Sequence, residues 1–96
     1  MQLQDKRNEI DALDSAIVDL LHRRASVARE IAAIKTSSGL PIVDEQREAE
    51  ILGRMCVDNG TLSDDAVCRI YRAIIRESRN IQTETSREIL ASGVGR

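Results

Sequence analysis

Apolar residues recur at Ile10, Leu13, Ile17, Leu21, Ala28 and Ile31, a three-and-four spacing that puts them on one stripe of a helix. Arg7, Arg24 and Lys35 fall on the same stripe: at about 100° per residue, all these positions lie within roughly 120° of one another. A face patterned for burial therefore carries three cations, and buried cations need anions. No acidic residue in the chain is an obvious mate for all three. The pattern points to a small ligand bearing more than one carboxylate.

The periodicity predicts three helices. The first runs from about Gln4 to Thr36 and stops at Ser37-Ser38-Gly39, with Gly39 as C-terminal cap and Pro41 just beyond. At ~30 residues it is long for a globular helix, which suggests packing against a partner. The second spans about Val43 to Val57, beginning near Asp44 and ending before the turn signal Asp58-Asn59-Gly60. The third has Ser63 as N-cap, Asp64 and Asp65 favourably placed in its first turn, and continues to about Leu90. The tail 91–96, with two glycines, reads as flexible. The expected fold is all-α, a single domain over 1–96 that is ordered from about 4 to 90.

Spacing on the first helix constrains assembly. Arg24 and Lys35 are 11 residues apart, roughly 16 Å along the helix, so two long side chains can close on one small molecule. Arg7 lies 17 residues from Arg24, roughly 25 Å away, and cannot join them. If Arg7 serves such a site, another copy of the chain completes it, as an isologous dimer of antiparallel long helices would arrange. The alternative is a solvated Arg7. For Arg24 the alternatives are snorkelling or an internal salt bridge.

On the second helix Asp44, Arg47 and Glu48 share one face, which by itself also reads as a self-neutralising surface cluster. The third helix carries the apolar stripe Val67, Ile70, Tyr71, Ile74 and Ile75, and Ser78, Ile81 and Gln82 extend it. Ser78 could be satisfied by its own helix, but an inward Gln82 brings two donors and an acceptor to be matched. Arg69, Arg72, Arg76 and Arg79 read as a solvated basic stripe. With a net charge of −2 and a single aromatic residue, Tyr71, the chain lacks the basic surplus and stacking groups of a nucleic-acid binder. No apolar run suits a signal peptide or a membrane span, so cytoplasm is the default location. Cys56 and Cys68 lack metal-ligand spacing and read as small buried hydrophobes rather than a disulfide.

Arg7, Leu13-Asp14, Leu20-Leu21, Arg23-Arg24, Ile31, Lys35, the run Pro41-Ile42-Val43-Asp44 with Arg47-Glu48, and Ile74-Ile75 with Ser78 and Gln82 together resemble the all-helical, AroQ-type chorismate mutases. Each motif alone is weak; the ordered set of eight polar positions is specific. The resemblance covers about residues 4 to 85, and this sequence departs from the pattern around Asn59-Gly60 and in the C-terminal tail. It implies an intertwined homodimer of three-helix chains in which each site takes Arg7 from the partner.

The implied reaction is the intramolecular Claisen rearrangement of chorismate to prephenate, which needs no metal, cofactor or nucleophile. By the resemblance, Arg24 and the partner's Arg7 anchor the two carboxylates, with Ser78 and Arg47 in support. Lys35 and Gln82 donate to the ether oxygen, and Glu48 with Asp44 fixes the ring hydroxyl. His22 has no implied role. The other readings are an isochorismate-pyruvate lyase, from which the Arg47-Glu48 pair after Asp44 points away, and a non-catalytic helical dimerisation or regulatory module.

Overall fold

The computed structural model of the chain describes residues 2–57 and 60–93; Met1, Asp58, Asn59 and residues 94–96, which include two residues of the expected turn signal and half of the expected tail, lie outside the described residues. Among the described residues there are three helices, α1 (Gln2–Ser38), α2 (Glu45–Met55) and α3 (Asp64–Ser92). The fold is the expected all-α one.

Helix ends follow local chemistry. α1 closes with paired bonds: the Leu40 N–H donates to the Lys35 carbonyl at 2.8 Å and the Gly39 N–H to that of Thr36 at 3.3 Å. Such a closure needs a left-handed residue, and Gly39 supplies it at φ 68°. α2 is shorter than expected at both ends. Asp44 is not its first turn but its N-cap, accepting from the Arg47 N–H at 3.0 Å, which leaves Ile42 and Val43 outside the helix. α3 starts as expected, with the Ser63 hydroxyl accepting from the Ala66 N–H at 3.1 Å. It runs past Leu90 through Ala91 and Ser92 because Gly93, at φ 76°, provides the stop.

α3 packs against both other helices. Its contacts with α1 pair Arg24 with Ser78 and Thr36 with Ser86, so the two helices run in the same sense. Ala28 and Ala32, both buried, let α3 approach the C-terminal part of α1 closely. α2 and α3 form an antiparallel hairpin joined at one end by Glu48 and Arg79 and at the other by a Cys56–Cys68 disulfide with Cα atoms 5.0 Å apart. This corrects the reading of the two cysteines as buried hydrophobes: the hairpin brings together thiols separated by 12 residues in sequence.

The arrangement measures 60 × 26 × 13 Å, thin enough to leave one side of α1 uncovered. On its apolar stripe Ile10, Leu13 and Ile17 are each more than half exposed and Leu21 is 40% exposed, and among the described residues only Ala28, Ala32 and Ile75 form a buried apolar core. The stripe predicted for burial is thus covered by its own chain only at its C-terminal end. Among the described residues, no helix is long and apolar enough to cross a membrane.

The disulfide closes a short loop, for which restriction of the unfolded chain is worth about 3 kcal/mol. Cys56→Ser and Cys68→Ser should each lower unfolding stability by about that amount, and by the same amount as reduction of the unaltered protein. Urea unfolding at one fixed protein concentration measures this; a midpoint unmoved by reduction would show that the cross-link does not hold the hairpin.

Candidate active site

The three helices converge on a cavity of about 660 Å³, within the range of small-molecule sites. Leu20, Val27 and Ile31 from α1, Ile42 from the following loop, Ile51 from α2 and Ile75 from α3 form its apolar walls. Seven of the eight expected polar positions line it: Arg24, Lys35, Asp44, Arg47, Glu48, Ser78 and Gln82. The eighth, Arg7, does not. α1 is one continuous helix from Gln2 to Ser38, so it cannot fold back to bring Arg7 to the cavity of its own chain.

Arg24 and Lys35 are each aimed by specific contacts. The Arg24 guanidinium donates to the Ser78 hydroxyl across the α1–α3 contact. The Ser78 hydroxyl is therefore engaged by a second helix. Lys35 Nζ donates to the Ile42 carbonyl at 2.9 Å and to Gln82 Oε1 at 3.4 Å. The lysine keeps a third donor, and an amide whose oxygen faces Lys35 has its NH₂ left to offer. The two expected ether-oxygen donors are thus neighbours, although 47 residues separate them in sequence.

Asp44, Arg47 and Glu48 do not neutralise one another. Asp44 caps α2, Arg47 lies 3.6 Å from Glu50 at the exposed rim, and Glu48 pairs with Arg79. Arg79 Nε and Nη2 each donate to a Glu48 oxygen at 2.7 Å, a two-pronged bond, and this bond raises the guanidinium pKa above its ordinary value.

Arg79 was expected on a solvated stripe, and here the structure differs: it lines the cavity. The available signal was its position four residues after the buried Ile75, which puts it on the packed side of α3. Arg23, next to Arg24, also lines the cavity, at an exposed position. Five cations, Arg23, Arg24, Lys35, Arg47 and Arg79, thus face two carboxylates, Asp44 and Glu48, in a chain whose overall charge is negative. That local surplus attracts anions. Among the described residues no cluster of His, Cys, Asp and Glu is arranged to hold a metal ion.

Comparison with known proteins shows what the chain is similar to. The bifunctional chorismate mutase/prephenate dehydratase of Aquifex aeolicus is 38% identical over 79 residues; the match covers 77% of this chain but only 22% of that protein. The 4-amino-4-deoxychorismate mutase of Streptomyces venezuelae is 30% identical, with 84% of this chain and 81% of the relative covered. The chorismate mutase of Helicobacter pylori, solved in complex with prephenate, superposes with a TM-score of 0.79 at 37% identity, over 90% of this chain and 94% of that one. The family model for chorismate mutase type II matches residues 6–83, a span that contains all eight expected polar positions. By sequence and by fold, the chain belongs to the chorismate mutase type II family.

Proposed function

We propose that the cavity binds chorismate and promotes its Claisen rearrangement to prephenate, and that the active unit is a homodimer in which each site receives Arg7 from the partner. The observation that carries this reading is the convergence of seven family-matched polar residues on one apolar-walled, cation-rich cavity. The reaction breaks a C–O ether bond and forms a C–C bond within one molecule, so the protein's task is to restrain and to stabilise charge. Holding the enolpyruvyl arm over the ring costs conformational entropy, which charge-assisted contacts to two carboxylates offset. Arg24, held by Ser78, anchors one carboxylate with Arg47 in support, and the partner's Arg7 anchors the other. Lys35 and Gln82 donate to the ether oxygen as negative charge develops there. Glu48 accepts from the ring hydroxyl. Asp44 supports it by fixing the start of α2, and the chemistry calls for neither metal nor cofactor.

The exposed apolar stripe of α1 supports the dimer, since a second copy gives it a surface to pack against. Cytoplasm remains the proposed location, with the Cys56–Cys68 disulfide the feature that weighs against a reducing compartment. The name of the Streptomyces venezuelae relative raises a second substrate, the analogue with an amine in place of the ring hydroxyl. A chorismate-disappearance assay with product identification tests the main reading: prephenate supports it, and release of pyruvate from isochorismate would favour the lyase.

Arg24→Lys keeps the charge and loses the planar fork that matches a carboxylate. Its kcat/KM should fall about 10²-fold or more, corresponding to ~3 kcal/mol of transition-state binding. Near-normal kinetics would assign Arg24 a purely structural role.

Arg7→Ala and Lys35→Ala chains should each be inactive alone. Mixed and allowed to exchange, they form heterodimers with one intact site each, and about a quarter of normal activity should return. Heterodimers demonstrated by mass spectrometry without recovered activity would refute the shared site.

Gln82→Glu places a carboxyl at the ether-oxygen position. Ionised, it is an acceptor only and opposes the developing charge; protonated, it regains a donor. Its activity should therefore rise as pH falls through the pKa of the new carboxyl, and adjacent Lys35 moves that rise to lower pH by favouring the ionised form. The unaltered protein lacks the rise because its amide does not titrate. Profiles of kcat/KM for both proteins from about pH 4.5 to 8, with circular dichroism to establish folding, decide it; a flat profile for the variant removes Gln82 from this role.

A further inference from the structure

The Glu48–Arg79 pair sits where the proposed reaction needs an acceptor for the ring hydroxyl. Both side chains line the cavity, one from α2 and one from α3, and at 20% and 40% exposure they are partly shielded from water. The fork occupies one acceptor direction on each Glu48 oxygen and fixes the plane of the carboxylate. A carboxylate has about four acceptor directions, so it can still receive an O–H from a ligand. What the fork changes is charge. A lone Glu48 offers the ring substituent a full negative charge, whereas the paired one offers an oriented dipole with a guanidinium directly behind it.

Those two environments select different substituents. A hydroxyl is neutral, needs one well-aimed acceptor and loses nothing to the nearby cation. An aliphatic amine is protonated at neutral pH, so it gains most from an unpaired carboxylate and is opposed by a second positive charge. The other charges around the cavity, Arg23, Arg24, Lys35 and Arg47, add to that opposition, and among the described residues Asp44 is the one further carboxylate lining it.

We propose that Arg79 is a specificity-determining, positioning residue: by engaging both oxygens of Glu48, it sets the ring-substituent subsite for a neutral hydroxyl and against an ammonium. The inference rests on the chorismate reading of the cavity and goes beyond it, since that reading gives Arg79 no task.

The test is the ratio of kcat/KM for chorismate to kcat/KM for 4-amino-4-deoxychorismate, measured at one ionic strength for the unaltered protein and for Arg79→Leu, Arg79→Gln and Arg79→Lys. The unaltered protein should favour chorismate. Arg79→Leu and Arg79→Gln, which remove the charge, should move the ratio toward the amine by at least about tenfold, a change set by charge and not by folding. Arg79→Lys keeps a cation without the fork, so it should retain most of the discrimination while losing efficiency on chorismate. A merely structural arginine would lower both substrates in parallel, and an unchanged ratio in the charge-removing variants overturns the inference. So does an unaltered protein that prefers the amine. If Arg79→Leu does not fold, Arg79→Gln carries the comparison. A protein inactive on both substrates refutes the chorismate reading and this inference with it, whereas activity on chorismate with an unchanged ratio refutes the inference alone.

Discussion

α1 is longer than anything its own chain can lay against it, and the rest of the structure depends on that mismatch. At 37 residues it extends roughly 55 Å, nearly the full 60 Å of the molecule, while α3 covers only its C-terminal part through Ala28 and Ala32. A helix this long gains stability from packing rather than from propensity, so the exposed stripe from Ile10 to Leu21 calls for a surface supplied from outside the chain. The same rigidity keeps Arg7 away from Arg24. One constraint thus accounts for an uncovered face and an unassigned cation, and the proposed second copy of the chain would resolve both.

Where α1 is covered, the covering also builds the site. Ser78 and Gln82 stand one helical turn apart on α3, and the parallel run of α1 brings Arg24 to the first and Lys35 to the second. The α2–α3 hairpin contributes the opposite wall. Its disulfide fixes one end and the Glu48–Arg79 fork the other, so Glu48 is presented from a helix held at two points. Packing contacts and site contacts are largely the same contacts.

Features that depend on local chemistry were legible in the sequence. Ser63 and Gly39 punctuate helices because a side-chain acceptor and a left-handed backbone are requirements met within a few residues. The positions of Arg24, Lys35, Ser78 and Gln82 on inward stripes were legible for the same reason: period alone sets the face. Pairings between helices were not. Cys56 and Cys68 meet only because the hairpin closes, and Arg79 meets Glu48 only because α3 packs against two helices at once and so has a wider inward face than its apolar stripe suggests. Asp44 was placed in the right cluster, but its cap to the Arg47 N–H, which shortens α2, turns on the carboxylate competing for backbone donors.

The partners chosen for the cations explain how a folded chain can keep charge ready for a ligand. Arg24 bonds a hydroxyl, and Lys35 bonds a carbonyl and an amide oxygen. These are neutral acceptors: they satisfy donors and fix direction without cancelling charge. Had a carboxylate taken either place, the pair would be more comfortable and the site less useful, since a ligand anion would first have to displace it. Two other cavity cations do have carboxylate partners: Arg47 lies 3.6 Å from Glu50 at the exposed rim, and Arg79 is bonded through two of its nitrogens to both oxygens of Glu48, in the one subsite where the proposed ligand presents a hydroxyl rather than a carboxylate. Neutral partners for Arg24 and Lys35, where the proposed ligand carries or develops negative charge, and an ionic partner for Arg79, where it is neutral, would amount to electrostatic preorganisation built from the side chains of three helices.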